Sequence, residues 1–142
     1  MSHVRPAHHD EKQQVARLWS DSGLGAIADD EWEAISTGPC ARIFVAENEG
    51  SIVGAAVTAF DGWRAYIYHV AVAQDHRGEG IAQQLMSEGE RILRARGANR
   101  VYLLVNENNT AGIALSASMG YEPEGDVAFV KEVAPVLVVA RS

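Results

Sequence analysis

Two glycines beside an arginine, placed between an apolar strand and a helix, are the residues of this chain best suited to hold a charged ligand. They lie in the run His69-Val70-Ala71-Val72-Ala73-Gln74-Asp75-His76-Arg77-Gly78-Glu79-Gly80-Ile81-Ala82. Glycine at 78 and 80 leaves no Cβ between the backbone and an approaching group. A helix starting there turns its unpaired first-turn N–H groups and the positive end of its dipole toward the same point. With Arg77 these donors form a cradle for an anion the size of a pyrophosphate. An isolated G-x-G also serves a plain strand-to-helix turn with no ligand, and the adjacent arginine favours the anion. Other phosphate loops fit worse. A dinucleotide fingerprint needs G-x-G-x-x-G, and the third glycine position counted from Gly78 holds Gln83, a bulky side chain. No G-K-[ST] is present either.

Such a bend needs a strand before it and a helix after it, and the sequence supplies both. β-Branched and aromatic residues crowd 41–47, 51–60 and 63–73, with Asn48-Glu49-Gly50 and Asp61-Gly62 between them, which predicts three sequential antiparallel strands joined by hairpins. Over 80–96, Ile81, Leu85, Met86, Ile92 and Leu93 recur at helical intervals, and Arg94, Arg96 and Gly97 close the run as a helix C-terminus. Upstream, Asp10 and Gln13 resemble a capping box ahead of Val15, Leu18 and Trp19, predicting a helix over 11–20. Asp29-Asp30-Glu31 before Trp32 and Ile35 predicts a second, short one. Downstream follow a short strand over 100–105, a helix from Asn109 to about 119, and two further strands over 127–133 and 135–140, Pro135 suiting a strand start or an edge.

The 142 residues fit one domain, 1–142, and 47% hydrophobic with 22% charged residues is the balance of a soluble globular fold. A net charge of −7 disfavours a nucleic-acid partner. Cys40 is the single cysteine, so neither an intrachain disulfide nor a zinc site of paired cysteines is expected, and His8-His9 has no metal-ligand spacing and reads as solvated. No metal is expected. No run approaches the roughly 18 apolar residues that span a bilayer, and no apolar signal core opens the chain, so no membrane partner and a cytoplasmic location are the expectation.

Two motifs together resemble those of a known family. Arg77-Gly78-Glu79-Gly80-Ile81-Ala82 matches the R/Q-x-x-G-x-G/A signature of the Gcn5-related N-acetyltransferases (GNAT), preceded, as in that family, by an apolar strand. The family pattern N-x-x-A-x-x-L-Y-x-x-x-G-F/Y is matched from Asn109 to Tyr121, with Gly112 for Ala and Ser116 for Tyr. The two motifs occur in the family's order, and the resemblance covers most of the chain, nearest to small bacterial enzymes such as the ribosomal-protein alanine acetylases. It implies the α/β (α+β) acyl-CoA N-acyltransferase fold: a mixed, mostly antiparallel, splayed sheet of six to seven strands flanked by about four helices. It further implies acetyl-CoA, as cosubstrate, wedged in the splay. Pantetheine amides would pair with backbone groups of Val70, Ala71 and Val72 as an added strand does. The diphosphate would sit on the amides of Arg77, Gly78, Glu79, Gly80, Ile81 and Ala82, Asn109 and Ser116 would touch the cofactor farther along, and the thioester carbonyl would face the Val70 N–H.

By that resemblance the reaction is direct acetyl transfer to a primary amine, on a small molecule or a protein N-terminus. The departures from the family lie at the acid–base positions. Ser116 stands where relatives place a tyrosine acid, and Tyr66 and Leu104 stand where relatives place a glutamate base. Ser116 and Tyr66 are therefore the candidate catalytic groups, Ser116 through the sulfur or a water. Tyr66 and Tyr68 share a strand face, where they line the acceptor pocket or simply pack. His69, on the opposite face from Tyr68 by alternation, reads as a packed histidine, and Glu107 as a surface carboxylate. Asp21, Asp29, Asp30, Glu31 and Glu33 line the stretch that walls the acceptor side in this architecture, either recruiting a cationic amine or serving helix N-termini. Cys40 has no adjacent base, so no covalent enzyme intermediate is expected. Two rivals remain: a non-catalytic acyl-CoA-binding sensor or partner module, and a transferase of a longer acyl group. The apolar tail 136–140 offers an edge for a homodimer.

Overall fold

The structure, a computed structural model, describes residues 2–134. Strand β1 (Ser2–Pro6) leads through a 3-10 turn to helices α1 (Lys12–Asp21) and α2 (Asp29–Thr37). Strands β2 (Ala41–Asn48), β3 (Ser51–Phe60) and β4 (Ala65–Val72) follow, then helix α3 (Ile81–Ala95), strand β5 (Val101–Leu103) and helix α4 (Thr110–Ser118). The sheet runs β1-β2-β3-β4-β5. Its first three pairings are antiparallel and β4–β5 is parallel.

Helices cover both faces, which explains the near-continuous apolar run of central β3. From Val53 to Thr58 every residue is buried, where a strand wet on one face would alternate. On one face Val15, Leu18, Trp19 and Trp32 of α1 and α2 pack against Ile43, Val45, Val57 and Ala71. On the other, Ile81, Leu85 and Leu93 of α3 pack on Phe44, Ala56 and Ile67. Two glycines let α3 approach closely: a Cβ on Gly54 would come within 2.9 Å of Ile81 Cγ2, and one on Gly89 within 2.8 Å of Ile67 Cδ1.

The three sequential strands and the long helix match the expectation, and the first helix starts one residue later than expected. Three features differ. Strand β1 was not expected from so polar a segment; it is held by antiparallel pairing with β2 and by Arg5, which reaches Glu47 at 2.6 Å and Glu11 at 2.8 Å. Five strands, not six to seven, form the sheet among the described residues. The run 127–133 forms no strand, with Val127, Phe129, Val130 and Val133 all exposed, and the strand expected over 135–140 and the proposed dimer edge at 136–140 lie outside the described residues. The third difference is a β-bulge in β4. Ala55 opposes Ala71 and Val57 opposes Tyr68, so His69 and Val70 together face Ala56.

Candidate functional site

Strands β4 and β5 pair from Ala65↔Val101 to Ile67↔Leu103, with one further bond from Leu104 N to Ile67 O at 3.2 Å. Beyond that point β4 continues to Val72 without β5, so the sheet splays. The Ala73 N–H donates to Val53 O at 2.8 Å, on the β3 side. Alternation then turns the backbone groups of Val72 into the opening and those of Ala71 toward β3, while Val70 belongs to the bulge. Val72 O accepts from Arg77 Nε at 3.4 Å. Of the three strand residues expected to meet the cofactor, Val72 therefore presents its backbone to the gap, Ala71 presents it to β3, and Val70 lies in the bulge between them and Tyr68.

A 3-10 turn, Gln74–His76, carries the chain from β4 to the bend. Gly78 and Gly80 hold φ of +81° and +80°, the left-handed region that favours glycine, and a Cβ on either would meet no protein atom within 4 Å. Gly80 is the N-cap of α3 and supplies no side chain to cap it. The first amide tied back into the helix is that of Gln84, bonded to Gly80 O at 3.0 Å, leaving the first-turn amides of Ile81, Ala82 and Gln83 without intrahelical partners. The Glu79 carboxylate is drawn aside to His76 Nδ1 at 3.2 Å. An uncapped helix start of four turns, two left-handed glycines and open space in front of both make a site that fits a diphosphate.

The two candidate acid–base groups sit on other elements, Ser116 on α4 and Tyr66 on β4. Ser116 is buried, and its hydroxyl donates to Gly112 O at 2.7 Å within α4. A carbonyl only accepts, so that proton is committed to the helix. Ser116 lines a cavity of about 810 Å³ with Glu90, Leu103, Val105 and Tyr121, on the β5 side of α3. Tyr121 donates from its hydroxyl to Glu90 Oε2 at 2.5 Å, and burial first, then this carboxylate, pushes its phenol well above the ordinary range. Asn109 caps α4, its Oδ1 accepting from Gly112 N at 2.9 Å. A Cβ at residue 112 would lie 2.5 Å from Asn109 Nδ2, the far end of the capping side chain. Tyr66 stacks on Tyr102 of β5, centroids 5.3 Å apart, and burial raises the Tyr68 phenol.

His69 corrects the alternation argument. The bulge gives it a φ of +52°, and its ring meets Trp19 edge-on at 5.1 Å and Tyr68 at 5.7 Å, on the α1 side with Tyr68 rather than opposite it. Trp19 Nε1 donates to His69 O at 2.8 Å, and His69 Nε2 lies 3.1 Å from Gly25 O, so that nitrogen carries the proton. Nothing in a run of single letters shows that two residues will face one. The acidic wall is also engaged locally. Asp29 pairs with Lys12 at 2.7 Å, Glu33 contacts His9, and Glu31 accepts the Ala28 N–H at 2.8 Å, the helix-N-terminus role for that one residue. His9, expected to be solvated, is exposed, with its ring Nε2 against the Glu33 carboxylate. Among the described residues no three His, Cys, Asp or Glu side chains converge as a metal would require, and no helix is long and apolar enough to cross a membrane.

A splayed mixed sheet with an amide cradle at its opening defines an acyl-CoA transferase architecture, and comparison with known proteins identifies the family. Residues 5–121 match the Acetyltransferase (GNAT) family model, and the chain belongs to that family. It is 32% identical over 127 residues to the acetyltransferase SG1711 of Sodalis glossinidius, covering 87% of this chain and 89% of that protein. Its fold superposes on a ribosomal-protein-alanine N-acetyltransferase from Brucella melitensis with a TM-score of 0.77 at 19% identity, covering 92% and 99% of the two chains. It superposes on the aminoglycoside N-acetyltransferase AAC(6')-Iy in complex with CoA with a TM-score of 0.79 at 18% identity, covering 94% and 96%. The chain is thus an acetyltransferase of the GNAT family, as the two motifs implied.

Proposed function

We propose that this chain, as one transferase domain, binds acetyl-CoA across the β4 edge and the glycine bend and transfers its acetyl group to a primary amine by direct attack. The observation that carries the reading is the uncapped start of α3, with Gly78 and Gly80 both left-handed and both open to space. The bend amides and Arg77 hold the diphosphate. Val70 and Val72 hold the pantetheine amides, and the Val70 N–H faces the carbonyl to be attacked. When bound, acetyl-CoA supplies an activated acyl group with a good leaving thiolate. The chain's part is to hold that group and the amine side by side, an orientation effect of roughly 7–11 kcal/mol, against about 10²- to 10⁴-fold for an acid or base. This suits a site whose Ser116 proton is tied to Gly112 and whose Tyr66 is stacked on Tyr102. Cys40 is exposed at the opposite end of the sheet from the bend, before β2, which leaves it no part in a covalent route.

Those same two side chains favour a second reading, a CoA-binding sensor without turnover. Thermal unfolding with increasing CoA and thiol release against an amine panel test both. The transferase reading expects a melting temperature that rises with the logarithm of CoA concentration, together with amine-dependent thiol release. Binding with no release on any amine selects the sensor, and no thermal shift at saturating acetyl-, propionyl- or succinyl-CoA rejects both.

A further inference from the structure

The pairing of β4 with β5 builds a graded strip on the sheet face opposite α3. Ala65, Ile67 and Leu103 pack on the α3 side around Leu93, so alternation places their neighbours on the other face. The register pairs Tyr66 with Tyr102; two residues back lie Arg64 and Arg100, just before the two strands, and two residues on, where the strands part, lies Tyr68. The two tyrosines are stacked. Arg64 and Arg100 line a cavity of about 330 Å³ together with Trp63, Asn99 and Tyr102, and Arg100 and Tyr102, at the edge strand, also border the larger cavity that holds Ser116. Trp63 is 79% exposed there, with the Arg64 guanidinium 5.3 Å from its ring centroid. None of the ion pairs among the described residues takes Arg64 or Arg100. Asp61 lies close enough to feel Arg64, but its Oδ1 accepts the N–H groups of Trp63 and Arg64 in the turn.

From the proposed reaction point at Val70 the strip therefore runs past Tyr68 and the tyrosine pair to two guanidiniums. An aromatic floor with a cationic far end repels a polycation and suits an extended molecule with an amine at one end and an anion at the other. We infer that the acceptor is a peptide-like amine carrying a carboxylate, with Arg64 and Arg100 as its specificity-determining residues. This rests on the function proposed above, which sets the position of the amine. Five strand steps, once the bulge has absorbed one, span roughly 17 Å at about 3.3 Å each. Because arginine and glutamate side chains reach toward each other, the carboxylate belongs on the fourth or fifth residue of an extended peptide. Asparagine at 99 and the exposed indole add a hydrogen-bonding amide and an apolar wall to the same end.

The test compares three acceptors with acetyl-CoA: a hexapeptide with glutamates at positions four and five, the same peptide with lysines there, and spermidine. The glutamate peptide is expected to show a KM about tenfold below that of the lysine peptide with little change in kcat, the size of one or two charge-assisted contacts, and spermidine the weakest use. The double variant Arg64→Glu with Arg100→Glu, both exposed positions, is expected to reverse the order of the two peptides. Quenching of Trp63 fluorescence by the peptides alone, absent from Trp63→Phe, is expected to rank them the same way without any turnover. The glutamate sequence fused to the N-terminus of a folded carrier shows whether a free peptide or a protein terminus is taken, and use of either supports the inference. Equal use of both peptides, or preference for spermidine, overturns it. CoA affinity measured on the same samples keeps the two claims apart. Normal CoA binding with indifferent peptide use defeats only the anionic acceptor, whereas absent CoA binding defeats the transferase reading as well.

Discussion

Gly80 holds a φ of +80° immediately before α3, a conformation that costs an L side chain about 1–2 kcal/mol. No protein atom lies within 4 Å of the Cβ that Gly80→Ala would add, so the strain is local and the fold survives it. The new methyl instead stands in the space proposed for the diphosphate. The expected outcome is a melting temperature a few degrees lower, with CoA Kd raised at least about tenfold by calorimetry; an unchanged Kd would remove the cradle from the account. Ser116 gives the converse case. Its hydroxyl proton is held by Gly112 O, so Ser116→Ala is expected to change kcat by less than about threefold, far below the 10²- to 10⁴-fold of a general acid. A hundredfold fall in kcat at unchanged KM would restore Ser116 as the proton donor to the thiolate.

At the level of elements, the close approach of α3 to the sheet fixes where its N-terminus opens. Gly89 is buried in that contact, and a Cβ there would come within 2.8 Å of Ile67 Cδ1 and 3.2 Å of Phe44 Cζ, both on side chains without room to move. Overpacking of this kind costs about 1–3 kcal/mol, and the better helix propensity of alanine returns about 1 kcal/mol. Gly89→Ala is accordingly expected to lower stability by about 1 kcal/mol in urea unfolding, with CoA affinity retained because the bend is two turns away. Helix α3 was readable because its apolar period of 3.6 reflects burial directly, and the three hairpin strands because β-branched and aromatic runs set off by turn residues mark a strand even where both faces are buried. The glycine bend was readable for a different reason: only glycine takes its backbone conformation at no steric cost. Strand β1 was not readable, since its pairing depends on Arg5 finding Glu47 and Glu11, contacts 42 and 6 residues away. The bulge at His69 escaped because alternation fails where two residues face one, and the local partners of the acidic residues of α2, Lys12, His9 and the Ala28 amide, are contacts that sequence alone leaves open.

Across the whole molecule, the net charge of −7 hides an uneven arrangement. Acidic groups near the N-terminus are drawn into pairs that close β1 onto β2 and onto the turn before α1. Arg5 bridges them, its Nε to Glu47 Oε2 at 2.6 Å and its two terminal nitrogens to Glu11 at 2.9 and 2.8 Å. The Arg5 hydrogen bonds hold the Glu11 carboxyl at about 2, well below its ordinary 4.5, against the opposing effect of burial, and the Glu47 carboxyl is lowered by the same guanidinium. A carboxylate whose pKa is lower in the folded chain binds its proton less readily there than when unfolded. Its stabilisation is therefore complete above about 4.5 and is lost as the pH falls from there toward 2. Water still reaches this pair, so Glu11 is expected to contribute about 1–2 kcal/mol, less than a shift of that size implies for a dry site. Urea midpoints measured from pH 6 down to pH 3 should fall for the native chain and fall less steeply for Arg5→Met, which starts less stable at pH 6. Parallel slopes in the two proteins would mean that the acid sensitivity arises elsewhere and that β1 is held by its backbone ladder alone.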